Sequence, residues 1–157
     1  MSTLMKKDAC QLLDADHIAV KHLLVAYARK AMADPEGSAA ERLELARQAC
    51  RDLTVHATLE EEIFYPALRQ AVPAAADVVG EGEEEHQEIK DLVAQVQGMD
   101  TAGPELDALV SELARTVEHH VKEERDELFP KAKSAQGLDL DALGERLRVR
   151  QQELAGG

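Results

Sequence analysis

The residue types best suited to binding a metal occur in two segments of this chain with the same spacing. In each segment a histidine is followed four residues later by a glutamate and ten residues later by a proline. The two sets are His56, Glu60 and Pro66, and His120, Glu124 and Pro130. Four residues make about one turn of an α-helix, so the imidazole and the carboxylate of each pair lie on the same side of a helix.

The repeat extends upstream and adds one histidine to each half of the chain. Residues 14–24 align with residues 83–93, which matches His17 with His86 and Lys21 with Lys90. Each half therefore supplies two histidines and one glutamate, a donor set that suits iron and leaves open positions on it. The six predicted metal ligands are His17, His56, Glu60, His86, His120 and Glu124.

The two glutamates of this set occupy positions on the apolar faces of their helices. Glu60 shares a face with Leu53, Ile63 and Ala67, and no Lys or Arg lies on either of the two faces. A buried carboxylate without a partner is strongly unfavourable, so a bound cation is the expected partner. Without a cation, we expect one of the two carboxylates to take up a proton.

Neighbouring polar residues are separated from this set by helical phase and by the repeat. Leu113 and Val117 lie seven and three residues before His120, which predicts that His120 points inward and His119 outward. His22 aligns with an aspartate in the second half and is not included. Glu61 is either part of a solvated acidic face or a further partner or ligand at the site.

Two other residue pairs near the predicted site have simpler interpretations. Lys21 and Lys90, each one turn after a predicted histidine ligand, are expected to pair with acidic residues at the rim of the site. Tyr27 and Tyr65 are expected to be packing residues.

The elements that must position these residues are helices. The chain is rich in Ala, Leu, Glu, Gln and Arg and poor in Gly and Pro, which favours an all-α fold. Apolar periodicity predicts four long helices over about 7–32, 38–72, 83–96 and 104–134, and a short fifth helix over about 139–154. Pro66 and Pro130 are expected to distort the helices that contain them. We predict one domain over 1–157, an up-down-up-down four-helix bundle with its core over about 8–135 and a short C-terminal fifth helix.

Charge and composition narrow the classes of partner. A net charge of −13 disfavours binding to nucleic acid or to an anionic membrane surface. No apolar run has the length of a membrane span, and Met1–Asp8 lacks the apolar run of a signal peptide. The two cysteines, Cys10 and Cys50, form no CxxC motif and suit a reducing compartment, so we expect a cytoplasmic protein.

Taken together, these motifs resemble the hemerythrin-like, HHE cation-binding family over roughly residues 14–133. The resemblance depends on Asp16-His17, His56-x3-Glu60, His86 and His120-x3-Glu124, with Phe64-Tyr65-Pro66 and Leu128-Phe129-Pro130 behind the two pairs. It implies a bundle that holds two irons, bridged by two carboxylates and by an oxo or hydroxo group, with the six residues above as ligands.

The resemblance also carries two differences from the oxygen-carrying members. On helix four those proteins have His-x4-Asp, whereas this chain has His120-x3-Glu124, with His119-x4-Glu124 as the other register. Those proteins have a second histidine four residues after the one on helix three, where this chain has Lys90. We therefore expect a di-iron protein that binds, reacts with or senses O₂, hydrogen peroxide or nitric oxide, with a role in oxidative stress, and that does not carry O₂ reversibly. Whether it is an enzyme, a sensor or a store stays open. The alternative is a metal-free or zinc-bound helical interaction protein.

Overall fold

The computed structural model describes residues 6–156, and these residues are helical with no β-strand among them. The α-helices are α1 Ala9–Ala33, α2 Ala39–Leu59, α3 Tyr65–Ala71, α4 Ala76–Gln97, α5 Pro104–Glu123, α6 Phe129–Ser134 and α7 Leu140–Gly156. Two π-helical turns, Glu60–Phe64 and Glu124–Leu128, join α2 to α3 and α5 to α6. The prediction of an all-α, up-down-up-down bundle with a short C-terminal helix is confirmed; residues 1–5 and 157, at the ends of the predicted domain, lie outside the described residues.

The ends of the bundle helices follow local chemistry. At the start of α1, Asp8 accepts a hydrogen bond from the Gln11 backbone at 2.9 Å, and the Gln11 side chain accepts one from the Asp8 backbone at 3.0 Å. Pro104 occupies the first turn of α5, where its missing N–H leaves no bond unmade. Helix α4 begins at Ala76 rather than near residue 83, so Gly80 and Gly82 lie inside it.

The two π-helical turns are the distortions that the prolines impose. In a regular α-helix the ring of Pro66 would collide with the carbonyl group four residues earlier, and its missing N–H would leave that carbonyl without a partner. Widening the preceding turn avoids this conflict, and the Tyr65 N–H donates to the Glu60 carbonyl five residues back. The Phe129 N–H donates to the Glu124 carbonyl in the same way before Pro130. Each π-helical turn therefore begins at one of the two predicted glutamate ligands.

The core has two apolar layers, with the predicted ligands between them. One layer includes Leu13, Leu59, Phe64 and Leu68 at one end of the bundle. The other includes Val20, Leu53, Val93 and Leu113 at the opposite end. Helix α7 packs on α1 and α2 with Leu143 and Leu147 in the first layer. Gly144 is needed there because a Cβ at this position would lie 2.7 Å from the Lys7 carbonyl oxygen.

Two further features bear on the surroundings of the protein. No helix over residues 6–156 combines the length and the apolar character needed to cross a bilayer. The thiols of Cys10 and Cys50 are free and buried, one in each apolar layer. Burial raises the pKa of Cys10 to about 12 and that of Cys50 to about 11, so both thiols are protonated at neutral pH.

Candidate metal centre

The bundle brings all six predicted ligands together in its interior. Each of the six is at most 6% exposed, and Glu60 and Glu124 are fully buried. They form two groups of four residues that share both glutamates. The first group contains His17 and His56 in addition to the glutamates, and the second contains His86 and His120.

In the first group the two imidazoles meet through their Nε2 atoms. The Nε2 atoms of His17 and His56 are 3.1 Å apart. His17 Nε2 lies 2.8 Å from Glu124 Oε1, and His56 Nε2 lies 3.4 Å from Glu60 Oε2. Distances near 3 Å between donor atoms are expected for neighbouring ligands of one ion with metal–nitrogen bonds of about 2.1 Å.

The second group repeats this arrangement with the other oxygen atom of each carboxylate. The Nε2 atoms of His86 and His120 are also 3.1 Å apart. Glu60 Oε1 lies 2.8 Å from His86 Nε2, and Glu124 Oε2 lies 3.3 Å from His120 Nε2. Each glutamate therefore presents one oxygen to each histidine pair, which is the arrangement of a carboxylate that bridges two ions.

The opposite ring nitrogen of every one of these histidines contacts a carboxylate. The Nδ1-to-oxygen distances are 3.2 Å from His17 to Asp14, 3.1 Å from His56 to Asp16, 2.8 Å from His86 to Glu61 and 2.7 Å from His120 to Glu85. A carboxylate acceptor places the proton on Nδ1 and leaves the Nε2 lone pair free for a metal. Four lone pairs thus point into one space that also holds two carboxylates.

These carboxylates are the part of the site that was largely missing from the sequence prediction. Asp14 and Glu85 were given no role and Asp16 was named only as part of the Asp16-His17 motif, although Asp16 and Glu85 are repeat counterparts that each precede a histidine. The alternatives left open for Glu61 are decided by its contact with His86 Nδ1, which makes it an outer partner rather than a residue directed at the Nε2 atoms.

Cations hold two of the outer carboxylates from the solvent side. Lys90 Nζ donates to Glu61 at 2.8 Å, as expected of a lysine at the rim. Arg125, which occupies the repeat position of Glu61, donates to Asp14 at 2.7 Å. Lys21 does not follow the prediction, because it forms no ion pair within residues 6–156.

The unpaired atoms of the centre fit a bound cation. Glu60 Oε2 and Glu124 Oε1 are buried and accept no hydrogen bond from the described residues. The 2.8 Å contact between His17 Nε2 and Glu124 Oε1 is not a hydrogen bond, so the close approach leaves that oxygen unsatisfied. Buried polar atoms without partners are rare in folded proteins, and a metal ion would satisfy both.

In the metal-free centre the pKa values of His56 and His120 are raised and that of Glu60 is lowered. Burial alone would lower the pKa of His56, but the charge of Glu60 and the hydrogen bond to Asp16 raise it to about 10. Burial also opposes protonation of His120, yet the charge of Glu124 and the hydrogen bonds to the surrounding carboxylates raise its pKa well above the ordinary value. Burial would raise the pKa of Glu60, but the charge of His56 and hydrogen bonds hold it well below its usual range. The charges of the buried glutamates therefore favour the protonated forms of His56 and His120, and the charge of His56 favours the ionised form of Glu60.

Tyr65 lies at the second histidine pair and is more than a packing residue. Its hydroxyl donates to Glu124 Oε2 at 2.8 Å and lies 3.3 Å from Glu60 Oε1. The ring stacks on His86, with centroids 5.3 Å apart. A Cβ at Gly82 would lie 2.9 Å from the hydroxyl oxygen, so this glycine makes room for it.

The repeat places Phe129 where the first pair would have a second tyrosine. Phe129 stacks on His17 with centroids 6.0 Å apart, as Tyr65 stacks on His86. The two histidine pairs thus have equal donor sets but unequal surroundings, since a hydroxyl group lies beside the second pair.

The two remaining histidines lie outside the centre, as helical phase predicts for His119 and the internal repeat predicts for His22. The side chain of His119 is 65% exposed, and its Nε2 contacts Glu85 at 3.2 Å and Glu123 at 3.3 Å. His22 is exposed on α1.

Comparisons with known proteins agree with this geometry. A family model described as the hemerythrin HHE cation binding domain matches residues 8–132. A curated relative from Nostoc sp., named DNA nickase, is 36% identical over 87 residues; the match covers 52% of this chain and 23% of the relative, so this chain spans about a quarter of it. The crystal structure of a hemerythrin HHE cation binding domain-containing protein from Mycobacterium kansasii matches with a TM-score of 0.77 and 24% identity, covering 96% of this chain and 88% of that one. This structural likeness supports the fold.

Proposed function

Because the chain belongs to the hemerythrin HHE cation-binding domain family, we propose that its centre holds two iron ions and that the protein binds, reacts with or senses small oxidants such as O₂, hydrogen peroxide or nitric oxide. The observation that carries the proposal is the convergence of four Nε2 atoms and two shared, partly unsatisfied carboxylates. Imidazole and carboxylate donors together suit iron, which supplies a redox-active cation with open positions for a small oxidant when bound.

The residues around the centre have definable tasks in such chemistry. The four outer carboxylates fix the orientation of the histidine rings and keep each proton on Nδ1. The two apolar layers limit the access of water from both ends of the bundle. Burial, followed by the charges of Glu60 and Glu124, raises the pKa of Tyr65, so its hydroxyl keeps its proton and donates it in a hydrogen bond to Glu124 Oε2.

We propose further that the protein does not carry O₂ reversibly. Reversible carriers of this family need an additional histidine at the position of Lys90, and Lys90 is engaged with Glu61 on the solvent side. Equal donor sets at the two histidine pairs leave both ions open to water and oxidant. The absorption spectrum of anaerobic ferrous protein should therefore change on mixing with O₂. The ferrous spectrum should not return when the O₂ is removed. Full recovery of the ferrous spectrum would contradict this part of the proposal.

The same preparation separates an enzyme from a sensor or a store. Peroxide consumed per iron is measured with the loaded protein and with an equal amount of free iron. Turnover well above free iron supports an enzyme. Activity no higher than that of free iron, combined with a change in conformation or metal content on oxidation, supports a sensor or a store.

Two other readings are less well supported by the site. A metal-free or zinc-bound interaction protein would leave the iron-binding experiment negative. The Nostoc relative is named for an activity on DNA, but a net charge of −13 disfavours contact with a phosphate backbone.

A cytoplasmic location is proposed because both thiols are free and buried, which suits a reducing compartment.

A further inference from the structure

A cleft of about 500 Å³ lies between α1 and α5 and borders the candidate metal centre at His17. Its α1 wall includes His17, Leu24, Val25 and Ala28, and its α5 wall includes Ala114, Val117 and Val121. His17 is one of the predicted ligands, so the cleft lies beside the first histidine pair.

The volume of the cleft exceeds what the proposed oxidants require. A water molecule, which is similar in size to O₂ or peroxide, occupies about 30 Å³ in the liquid. A cleft of about 500 Å³ instead lies in the range typical of sites for small organic ligands, about 300–1,000 Å³.

Charge and apolar surface are separated along the cleft. The end near His17 carries Lys21, Lys122 and Arg125, and the other end is formed by Leu24, Val25, Ala28, Ala114 and Val117. With Glu118 and Asp126 included, the charged residues of the lining sum to +1, in a chain whose net charge is −13. The cleft is therefore an exception to the acidic character of the chain.

One cation at this end is available to a ligand. Lys122 is paired with Asp126 at 2.8 Å, and Arg125 is paired with Asp14 at 2.7 Å. Lys21 makes no ion pair or hydrogen bond with the described residues, although its repeat counterpart Lys90 pairs with Glu61. The apolar end is also exposed, since Val25 is 37% accessible to solvent.

We propose that the α1–α5 cleft binds an amphipathic monocarboxylate, with the carboxylate at Lys21 and the alkyl chain between Leu24, Ala28 and Ala114. From Lys21 to Ala28 the helix rises by about 10 Å at 1.5 Å per residue, which matches an extended chain of about eight carbons. The carboxylate end lies beside His17. If the centre binds iron as proposed above, the ligand also covers the approach to the first histidine pair.

Octanoate is the probe that tests this proposal, with acetate and octanol as reference ligands. Binding to metal-free and iron-loaded protein is followed by calorimetry and by the NMR shifts of methyl groups in the cleft. Octanoate should bind both forms more tightly than octanol, and acetate should not bind at the same concentration. Binding to the metal-free form is independent of the iron proposal, so a failure of that proposal is distinguishable from a failure of this one.

Matched variants locate the two ends of the ligand. Lys21→Gln should weaken octanoate about three- to fivefold, as expected for a partly exposed ion pair, and leave octanol unchanged. The tryptophan variants Ala28→Trp and Ala114→Trp should each abolish the binding of octanoate and of octanol. Lys133→Gln and Ala94→Trp, which change exposed residues outside the cleft lining, should bind like the wild type. The melting temperature of each variant identifies any that fails to fold, and Ala28, which is exposed, tolerates a larger side chain best.

Three results would overturn the proposal. Equal binding of acetate and octanoate would show that the carboxylate alone is recognised. Wild-type affinity in both tryptophan variants would place the ligand elsewhere. Sedimentation showing a dimer that Ala28→Trp dissociates, with no octanoate bound, would assign the cleft to a second copy of this chain.

Discussion

Replacing Glu85 by alanine tests the role of the outer carboxylates. Glu85 Oε1 accepts from His120 Nδ1 at 2.7 Å, the shortest of the four such contacts, and His120 is almost fully buried. Without Glu85 the buried N–H has no acceptor, which costs about 1–3 kcal/mol. Loss of such an outer partner usually lowers metal affinity about 10–100-fold, equivalent to about 1.4–2.7 kcal/mol, so the two estimates agree. The loss should fall on one of the two metal ions.

The assay is a competitive titration with Co²⁺ and a chromogenic chelator at neutral pH. The wild type should bind two ions tightly, and Glu85→Ala should bind one tightly and one about 10–100-fold more weakly. Glu85→Gln, which keeps an acceptor oxygen but no charge, should lie between them. Glu84→Ala is the matched control, because Glu84 is exposed, carries the same charge and makes no hydrogen bond within residues 6–156. Equal affinities in Glu85→Ala and Glu84→Ala would refute the assigned role.

The remaining predictions concern the helix register, the tyrosine and pH. His120→Ala should remove metal or halve its content, whereas His119→Ala should not; the opposite result in metal analysis would show that the wrong histidine was assigned. Tyr65→Phe removes the donor to a buried carboxylate, so the free energy of unfolding of the metal-free protein should fall by about 1–3 kcal/mol, and an unchanged denaturation curve would contradict this. The raised pKa of His56 makes its contribution to metal-free stability complete below its ordinary pKa of 6.5 and lost as pH rises through about 10. The lowered pKa of Glu60 gives a contribution that is present above its ordinary pKa of 4.5 and is lost as pH falls through the lowered value. Metal-free protein should therefore melt highest between pH 4.5 and pH 6.5 and lower at pH 9.5; equal melting temperatures at pH 6 and pH 9.5 would contradict the assignment for His56.

Helical periodicity predicted the fold and the histidine and glutamate residues of the centre. It did not predict which side chains are buried in the turns around the two prolines. Five residues along an α-helix turn the side chain by about 140°, which places Tyr65 away from Glu60 and predicts Ala67 on the buried face. The π-helical turn at Glu60–Phe64 shifts the phase by about one residue, so Tyr65 and Leu68 are buried instead, each with no exposed surface. The prolines indicated that a distortion would occur, but not that its form would bring a hydroxyl to the centre.

The outer carboxylates show a second limit of sequence reasoning. Asp16 and His56 lie 40 residues apart and on different helices, so their contact depends on how α1 and α2 pack rather than on spacing along one helix. In a chain with 31 acidic residues, nothing local distinguishes Asp16 or Glu85 from solvated carboxylates. The internal repeat carried the available signal, because it aligns these two residues directly before aligned histidines.

The measurement that tests the central claim most directly is the iron content of protein loaded anaerobically with ferrous ion, taken together with its absorption spectrum after oxidation. The two groups of ligands predict two irons per chain and near-ultraviolet absorption from ferric iron. The same loading of Glu60→Ala should deplete both ions, because each oxygen of Glu60 faces a different histidine pair. A colourless wild-type protein with less than about half an iron per chain, or a Glu60→Ala variant that keeps both irons, would contradict the account.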